Sequence, residues 1–239
     1  MTFSNLPKQT IDIWLLSAER PLNISTVELG RCEKIRSSSY VHLEDKQRYQ
    51  NIHIKLRLLL AAYLEISPAA VIYRYGKYGK PDIDYVALSS QSPAIQDLKF
   101  NISHADSHSI VAVMREAELG VDVERMRELA DARQLLASIS HQGEFQLASA
   151  ANQYEQCFLN TWICKEALLK ALAVGLTLDM NSFAIVAGDD AHRCRFSSPY
   201  QDWYAHMFQP QHDLYACVVT NAAYVDLKHH NFDRDFQID

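Results

Sequence analysis

The run Leu119-Gly120-Val121-Asp122-Val123-Glu124 (LGVDVE) decides how this chain is read. Valine alternates with acid, which is the period of a half-buried strand. In such a strand Asp122 and Glu124 point to one face and Val121 and Val123 to the other. A second stretch, Trp162-Ile163-Cys164-Lys165-Glu166-Ala167-Leu168-Leu169-Lys170, carries the helical period. From Cys157 to Ala173 apolar residues recur almost all round it, so the helix is expected to be buried. Trp162, Glu166 and Lys170 stand at i, i+4 and i+8 and share a face. Three carboxylates on two buried elements repel one another unless a cation lies among them. An all-oxygen set of that kind suits a hard ion such as Mg²⁺. A plain Glu166–Lys170 helix pair is the structural alternative, and it leaves Lys165 as the solvated member of the Lys-Glu dipeptide.

Outward from these stretches, the spacing predicts a strand at Ile11–Leu16 and helix-like sequence over Val27–Leu60, strongest at Gln47–Tyr63. Val71–Tyr75 reads as a strand and Tyr78-Gly79-Lys80-Pro81 as a turn. Lys99–Ile102 and Ser109–Met114 read as a strand pair flanking a polar turn, Ser103-His104-Ala105-Asp106-Ser107-His108. Backbone N–H groups, a hydroxyl and an imidazole in such a turn suit phosphate. Beyond the acidic strand, Glu128–Ala150 reads as helical, and short strands follow at Phe183–Val186, Arg193–Ser197, Trp203–Gln209 and Leu214–Thr220. The tail after Ala223 reads as peripheral. Each half is thus helices plus a few antiparallel strands, an α+β pattern. The similar halves are expected to form two lobes, 1–118 and 119–239, with a site at the seam near Val121–Arg127.

The chain has 239 residues, 48% of them apolar, which suffices for two small cores. Its net charge of −6 is uneven: residues 1–80 hold 12 Lys and Arg against 7 Asp and Glu, and the excess acid lies beyond them. A basic front half suits an anionic small molecule, whereas an acidic total argues against general nucleic-acid binding. No apolar run reaches the roughly 20 residues of a membrane span. The opening MTFSNLPKQT lacks a secretory pattern, and the five cysteines show no CxxC spacing, so a cytoplasmic protein with reduced thiols is expected.

Taken in order, Gly79-Lys80-Pro81, Phe100-Asn101-Ile102-Ser103-His104, Gly120-Val121-Asp122-Val123-Glu124 and Trp162 to Lys170 resemble the motifs of the larger, two-lobed 4′-phosphopantetheinyl transferases of the surfactin-synthetase-activating type. The resemblance runs from about Arg31 to Thr220. It implies a pseudo-twofold α+β fold and an Mg²⁺-dependent (or Mn²⁺-dependent) enzyme. The implied reaction moves the 4′-phosphopantetheine arm of coenzyme A onto a serine of an apo acyl or peptidyl carrier protein and releases adenosine 3′,5′-bisphosphate. By the same resemblance Asp122, Glu124 and Glu166 match the metal-binding carboxylates. Lys170 matches a lysine at the pyrophosphate, and Glu166, directly or through a metal-bound water, is the base. Ser103, His104 and Lys80 match phosphate contacts, with His104 at the 3′-phosphate. Arg36 and Arg48 align with residues at the adenosine end, and Glu144 with an acid on the preceding helix. Ala105-Asp106 departs from the usual Ser-Gly and is expected to bring a negative charge near the phosphates. Ile163 stands for a Ser or Thr, and Ser37–Ser39 for a more aromatic stretch. The implied protein is a monomer serving fatty-acid, polyketide or nonribosomal-peptide synthesis. The alternative is a coenzyme A or nucleotide-binding module without turnover.

Overall fold

A computed structural model describes residues 6–22, 27–88, 97–151, 153–188 and 193–237, apart from the side chain at 150. The chain begins with strand β1 (Thr10–Ser17) and helices α1 (Arg31–Ser38) and α2 (Leu43–Leu64). A small hairpin follows, β2 (Tyr73–Tyr75) and β3 (Pro81–Ile83), then a short helix α3 (Tyr85–Leu88) and the hairpin β4 (Leu98–Ala105) and β5 (His108–Arg115). The second half opens with β6 (Leu119–Arg125), α4 (Ala132–Ile139), α5 (Gln142–Ala151) and α6 (Tyr154–Leu172). It continues with β7 (Ile185–Ala187), β8 (Arg193–Phe196), β9 (Tyr204–Gln211) and β10 (Leu214–Thr220). The tail forms β11 (Asp226–Asn231) and α7 (Phe232–Asp235).

The two halves share a plan. One sheet runs β11-β1-β5-β4 and the other β6-β10-β9-β8-β7. β1 therefore pairs with β5 and β6 with β10, and β5 and β10 each pair in turn with the strand before them, β4 and β9. Each half also lays one long helix on its sheet, α2 or α6, and each helix ends on a left-handed residue, Glu65 (φ 52°) or Ala173 (φ 55°). The fold is a two-lobed α+β structure with antiparallel pairing inside each half. The strand order crosses the 118/119 division once. The tail, read from its polar sequence as peripheral, instead returns as β11, parallel to β1, and α7 seats Phe232 at 1% exposure in the first core.

Strand parity sorts the core into layers. Trp14 and Leu16 face α2 and pack with Leu56, Leu59, Leu60 and Tyr63. The intervening Ile11, Ile13 and Leu15 face the other sheet, where Val121, Val123, Ala216 and Val218 meet them. The opposite face of β10 packs Cys217 and Val219 against Leu168 and Ala171 of α6. Each fully buried Leu, Ile or Val contributes about 1.5–3 kcal/mol over exposure. The layers are therefore helix, sheet, sheet, helix, and the sheet edges β4 and β6 meet at the seam. There the Val121 N–H donates to Asn101 Oδ1 at 2.9 Å. A side-chain amide thus satisfies a backbone donor that the sheet edge leaves unpaired.

Two long helical readings divide in the structure. The Val27–Leu60 stretch becomes α1 and α2, broken at Ser39–His42, and Glu128–Ala150 becomes α4 and α5, broken at Ser140 and His141. At the first break Ser38 and Ser39 hydroxyls each donate to a carbonyl three residues back, local bonds that compete with helix continuation, and at the second the His141 N–H donates to the Glu144 carboxylate at 2.7 Å, which caps α5.

Candidate active-site cleft

Gly120 sets the depth of the site. A Cβ there would lie 2.2 Å from the Ala167 carbonyl oxygen and 2.3 Å from the Ala171 nitrogen. Only glycine lets α6 rest that closely on β6. The close approach brings the acidic face of β6 against the Trp162-Glu166-Lys170 face of α6. Both faces open into a cleft of about 500 Å³ that is also walled by α1, α2, the β2–β3 hairpin and β4.

Of the residues singled out in the sequence, Arg36, Lys80, Ser103, His104, Asp122, Glu124, Glu166 and Lys170 line this one cleft. Arg48 does not. It projects from the exposed side of α2 and lies 3.6 Å from Asp45, because its helical phase points away from the seam. Glu144 also stands outside the cleft: its carboxylate accepts from Lys165 at 2.8 Å and from the Ile185 N–H at 2.6 Å. Lys165 itself is fully buried, contrary to its reading as solvated. Its ammonium also donates to the carbonyls of Ile139, Met180 and Phe183, so a saturated cage offsets the cost of burying it.

Ser103 and His104 belong to strand β4 rather than a turn, which begins at Asp106. Alternation then places Ser103 on the seam side. Its hydroxyl donates to Asp122 Oδ1 at 2.8 Å and accepts from Lys170 at 2.8 Å. Lys170 also donates to Asp122 Oδ1 at 2.6 Å. The lysine therefore pairs with the strand acid and not with Glu166 one turn before it. Asp122 Oδ2 is buried and has no hydrogen-bond partner among the described residues.

The two other acids are held toward their protonated forms. Burial pushes Glu124 up, as does Asp122, against the Trp162 indole N–H and Lys170. Burial also pushes Glu166 up, with Asp122 and Glu124 adding to it against Lys170. These donors fit a hard divalent cation by their chemistry: all are carboxylates, they face one cavity, and one buried oxygen lacks a partner. Their present arrangement is not yet a metal cage. Among the described residues no three His, Cys, Asp or Glu groups stand close enough together to hold an ion.

The rest of the cleft is basic and aromatic. His104 Nδ1 lies 2.7 Å from Ser109 Oγ, which leaves Nε2 toward the cavity. The ring's outer edge is open to the cleft, and solvent there tempers the effect of the walls. Desolvation by those walls, then His53, Lys170 and Arg36, push the imidazole down, so it is neutral at neutral pH. Lys80 donates to the Leu119 and Ala171 carbonyls at 2.9 and 3.3 Å, tying the hairpin to the other lobe at the C-terminal turn of α6. Burial lowers its pKa. Asp106, expected to disturb a phosphate pocket, is turned away: Arg125 and Arg127 donate to it at 2.9 and 2.7 Å.

One wall carries an aromatic series that is not among the residues singled out in the sequence. Tyr40 lies 5.4 Å from Tyr49, Tyr49 stacks on His53 at 4.0 Å, and His53 lies 6.2 Å from His104. The i, i+4 spacing of Tyr49 and His53 was its available signal. Behind it the buried Glu33 accepts from Arg57 at 2.6 Å and lies 3.2 Å from His53, which fixes α1, and with it Arg36, on α2.

The seam cleft thus has carboxylates on one wall and cationic or imidazole groups on the others. The comparisons make this specific. The family model of the 4′-phosphopantetheinyl transferase superfamily matches residues 118–220. A provisionally named 4′-phosphopantetheinyl transferase of Synechocystis sp. is 30% identical over 71% of this chain and 67% of its own. A 4′-phosphopantetheinyl transferase of Bacillus subtilis is 28% identical over 74% of each chain. The L-aminoadipate-semialdehyde dehydrogenase-phosphopantetheinyl transferase of Schizosaccharomyces pombe is 31% identical over 65% of this chain and 69% of its own. The chain belongs to the 4′-phosphopantetheinyl transferase superfamily.

Proposed function

We propose that this protein transfers the 4′-phosphopantetheine arm of coenzyme A to a serine of an apo acyl or peptidyl carrier protein. The observation that carries the reading is the meeting of Asp122, Glu124 and Glu166 with Ser103, His104 and Lys170 in one seam cleft, in a chain of this family. The first lobe supplies contacts to the nucleotide phosphates and the second supplies the carboxylates and Lys170. The protein acts as a monomer in the cytoplasm; among the described residues no helix is long and apolar enough to cross a membrane.

In this mechanism the carrier serine Oγ bonds to the phosphorus that bears pantetheine, and the bridging P–O bond to adenosine 3′,5′-bisphosphate breaks. Glu166 accepts the serine proton as general base. Lys170 offsets the charge that develops on the departing phosphate. His104 and Arg36 bind the 3′-phosphate end, with a phosphate dianion favouring protonation of the neutral imidazole. Lys80 holds the hairpin wall against α6 and turns its remaining donor capacity to the nucleotide. Asp122, Glu124 and Glu166 would hold Mg²⁺ or Mn²⁺, which when bound neutralises pyrophosphate charge.

The test is incubation with coenzyme A, Mg²⁺ and a panel of apo carrier proteins, read by intact mass. A gain of one phosphopantetheine on a carrier serine supports the proposal. Calorimetric binding of coenzyme A without any mass gain across acyl and peptidyl carriers would favour a binding module instead.

A further inference from the structure

Lys170 and the unpartnered Asp122 oxygen point to a role for the lysine before any substrate arrives. Asp122 is 4% exposed and cannot be left without a counter-charge at low cost. In the ligand-free site that charge comes from Lys170, whose ammonium lies 2.6 Å from Oδ1 and is braced on Ser103 Oγ at 2.8 Å. Glu166 sits one helical turn before Lys170 and makes no ion pair among the described residues. Oδ2 remains buried and unpaired. The ammonium thus already occupies one oxygen of the most buried carboxylate of the proposed set.

We infer that Lys170 is a placeholder cation: it occupies Asp122 in the free protein and must leave before a divalent ion can be held by Asp122, Glu124 and Glu166. This rests on the proposed metal set and adds to it an order of events. A divalent ion approaching the free cleft meets a positive charge already seated on its best-buried ligand, so it binds weakly. A pyrophosphate entering the cleft offers Lys170 an alternative partner, draws it from Asp122 and releases both carboxylate oxygens. Anion and divalent cation then assist each other, and by linkage the assistance is mutual. The side chain is 30% exposed on the cleft side, which gives it room to move. The bracing hydroxyl comes from β4 of the other lobe, so the same contact reports across the seam.

The experiment is calorimetric and electron-paramagnetic titration of Mn²⁺ into coenzyme A-free protein. Lys170→Met should bind Mn²⁺ about ten- to a hundredfold more tightly than wild type, the range expected for removing one charge-assisted contact. Lys170→Gln, a second neutral variant, should do the same should Lys170→Met fold poorly, as judged by melts in chelator. Lys170→Arg keeps the charge and should stay near wild type. Asp122→Asn combined with Lys170→Met should lose the gain. Equal or weaker Mn²⁺ binding by both neutral variants overturns the inference. Mn²⁺ titration of wild type with coenzyme A present separates the two readings: binding there alongside that result leaves the metal set standing, and its absence removes both.

Discussion

The two lobes place an aspartate on the helix-facing side of their opening strand, Asp12 on β1 and Asp122 on β6, and treat it in opposite ways. Asp12 has both oxygens in use. It accepts a short hydrogen bond from the Tyr63 hydroxyl of α2, and His230 of the tail lies 3.2 Å from the other oxygen. Tyr63 in turn accepts from the Trp14 indole at 2.9 Å, and His230 stacks on Trp14 at 4.4 Å. Two residues along each strand, β1 carries Trp14 where β6 carries Glu124. The long helices answer with Tyr63 in one lobe and Lys170 in the other. The tail, β11 and α7, then covers the first lobe with Phe232 and seats Asp233 on the buried Lys55. On one framework, aromatic residues and a returning strand make a closed hub, and acids with one buried oxygen left unpartnered make a cleft. The open lobe gives up the local stability the closed one keeps, and gains a site.

Glu166→Gln is the largest way to break the comparison. It removes a proposed base and metal ligand from the cleft, so carrier loading should fall by orders of magnitude. The melting temperature without metal should hold or rise, because burial and two like charges already penalise the ionised acid. Loading rates and thermal melts on the same preparations check both halves.

Phe232→Ala tests the closed lobe. It opens a cavity beside Trp14 and Lys55 and should cost about 3–5 kcal/mol in chemical denaturation, the range for a deleted core phenylalanine. Loading per folded molecule should stay close to wild type. A comparable loss of activity in the folded fraction would mean that the hub also shapes the cleft.

The smallest effect concerns His104. Its folded pKa lies below the unfolded value near 6.5, so the unfolded chain binds the extra proton first. The contribution is present above that pH and is lost as pH falls through the window beneath it. The wild-type melting temperature should therefore decline more steeply from pH 7 to pH 5 than that of His104→Gln. Parallel slopes would show that the ring titrates as an ordinary surface histidine.

The strand at Gly120–Glu124 and the helix through Glu166 were legible because each carries its own period and each buries the face that period marks. Ser103 was read as part of a turn since polar, small residues crowd Ser103–His108. What makes it a strand residue is the β4–β5 ladder, which pairs Ser103 with Ile110 and narrows the turn to Asp106 and Ser107; its bond to Asp122, 19 positions away, is what no local window contains. Lys165 failed for a similar reason: its four acceptors come from segments 15 to 26 positions distant. The tail looked peripheral because its polarity was visible and its parallel register with β1 was not. Arg48 and Arg36 were indistinguishable by composition, and only the rotational phase of their helices puts one at the cleft and the other in solvent. The charge pairing inside the site was also hidden: i, i+4 spacing suggested Glu166–Lys170, while the approach permitted by Gly120 delivers Lys170 to Asp122.

The most direct measurement is carrier loading by intact mass with the two matched variants, Asp122→Asn and Asp12→Asn, normalised to folded protein. The account predicts that Asp122→Asn folds and does not load a carrier at a measurable rate. It predicts that Asp12→Asn melts lower but loads at near the wild-type rate per folded molecule. An Asp122→Asn protein that transfers phosphopantetheine at the wild-type rate, or an Asp12→Asn protein that is stable but inactive, would place the chemistry elsewhere than the face between β6 and α6.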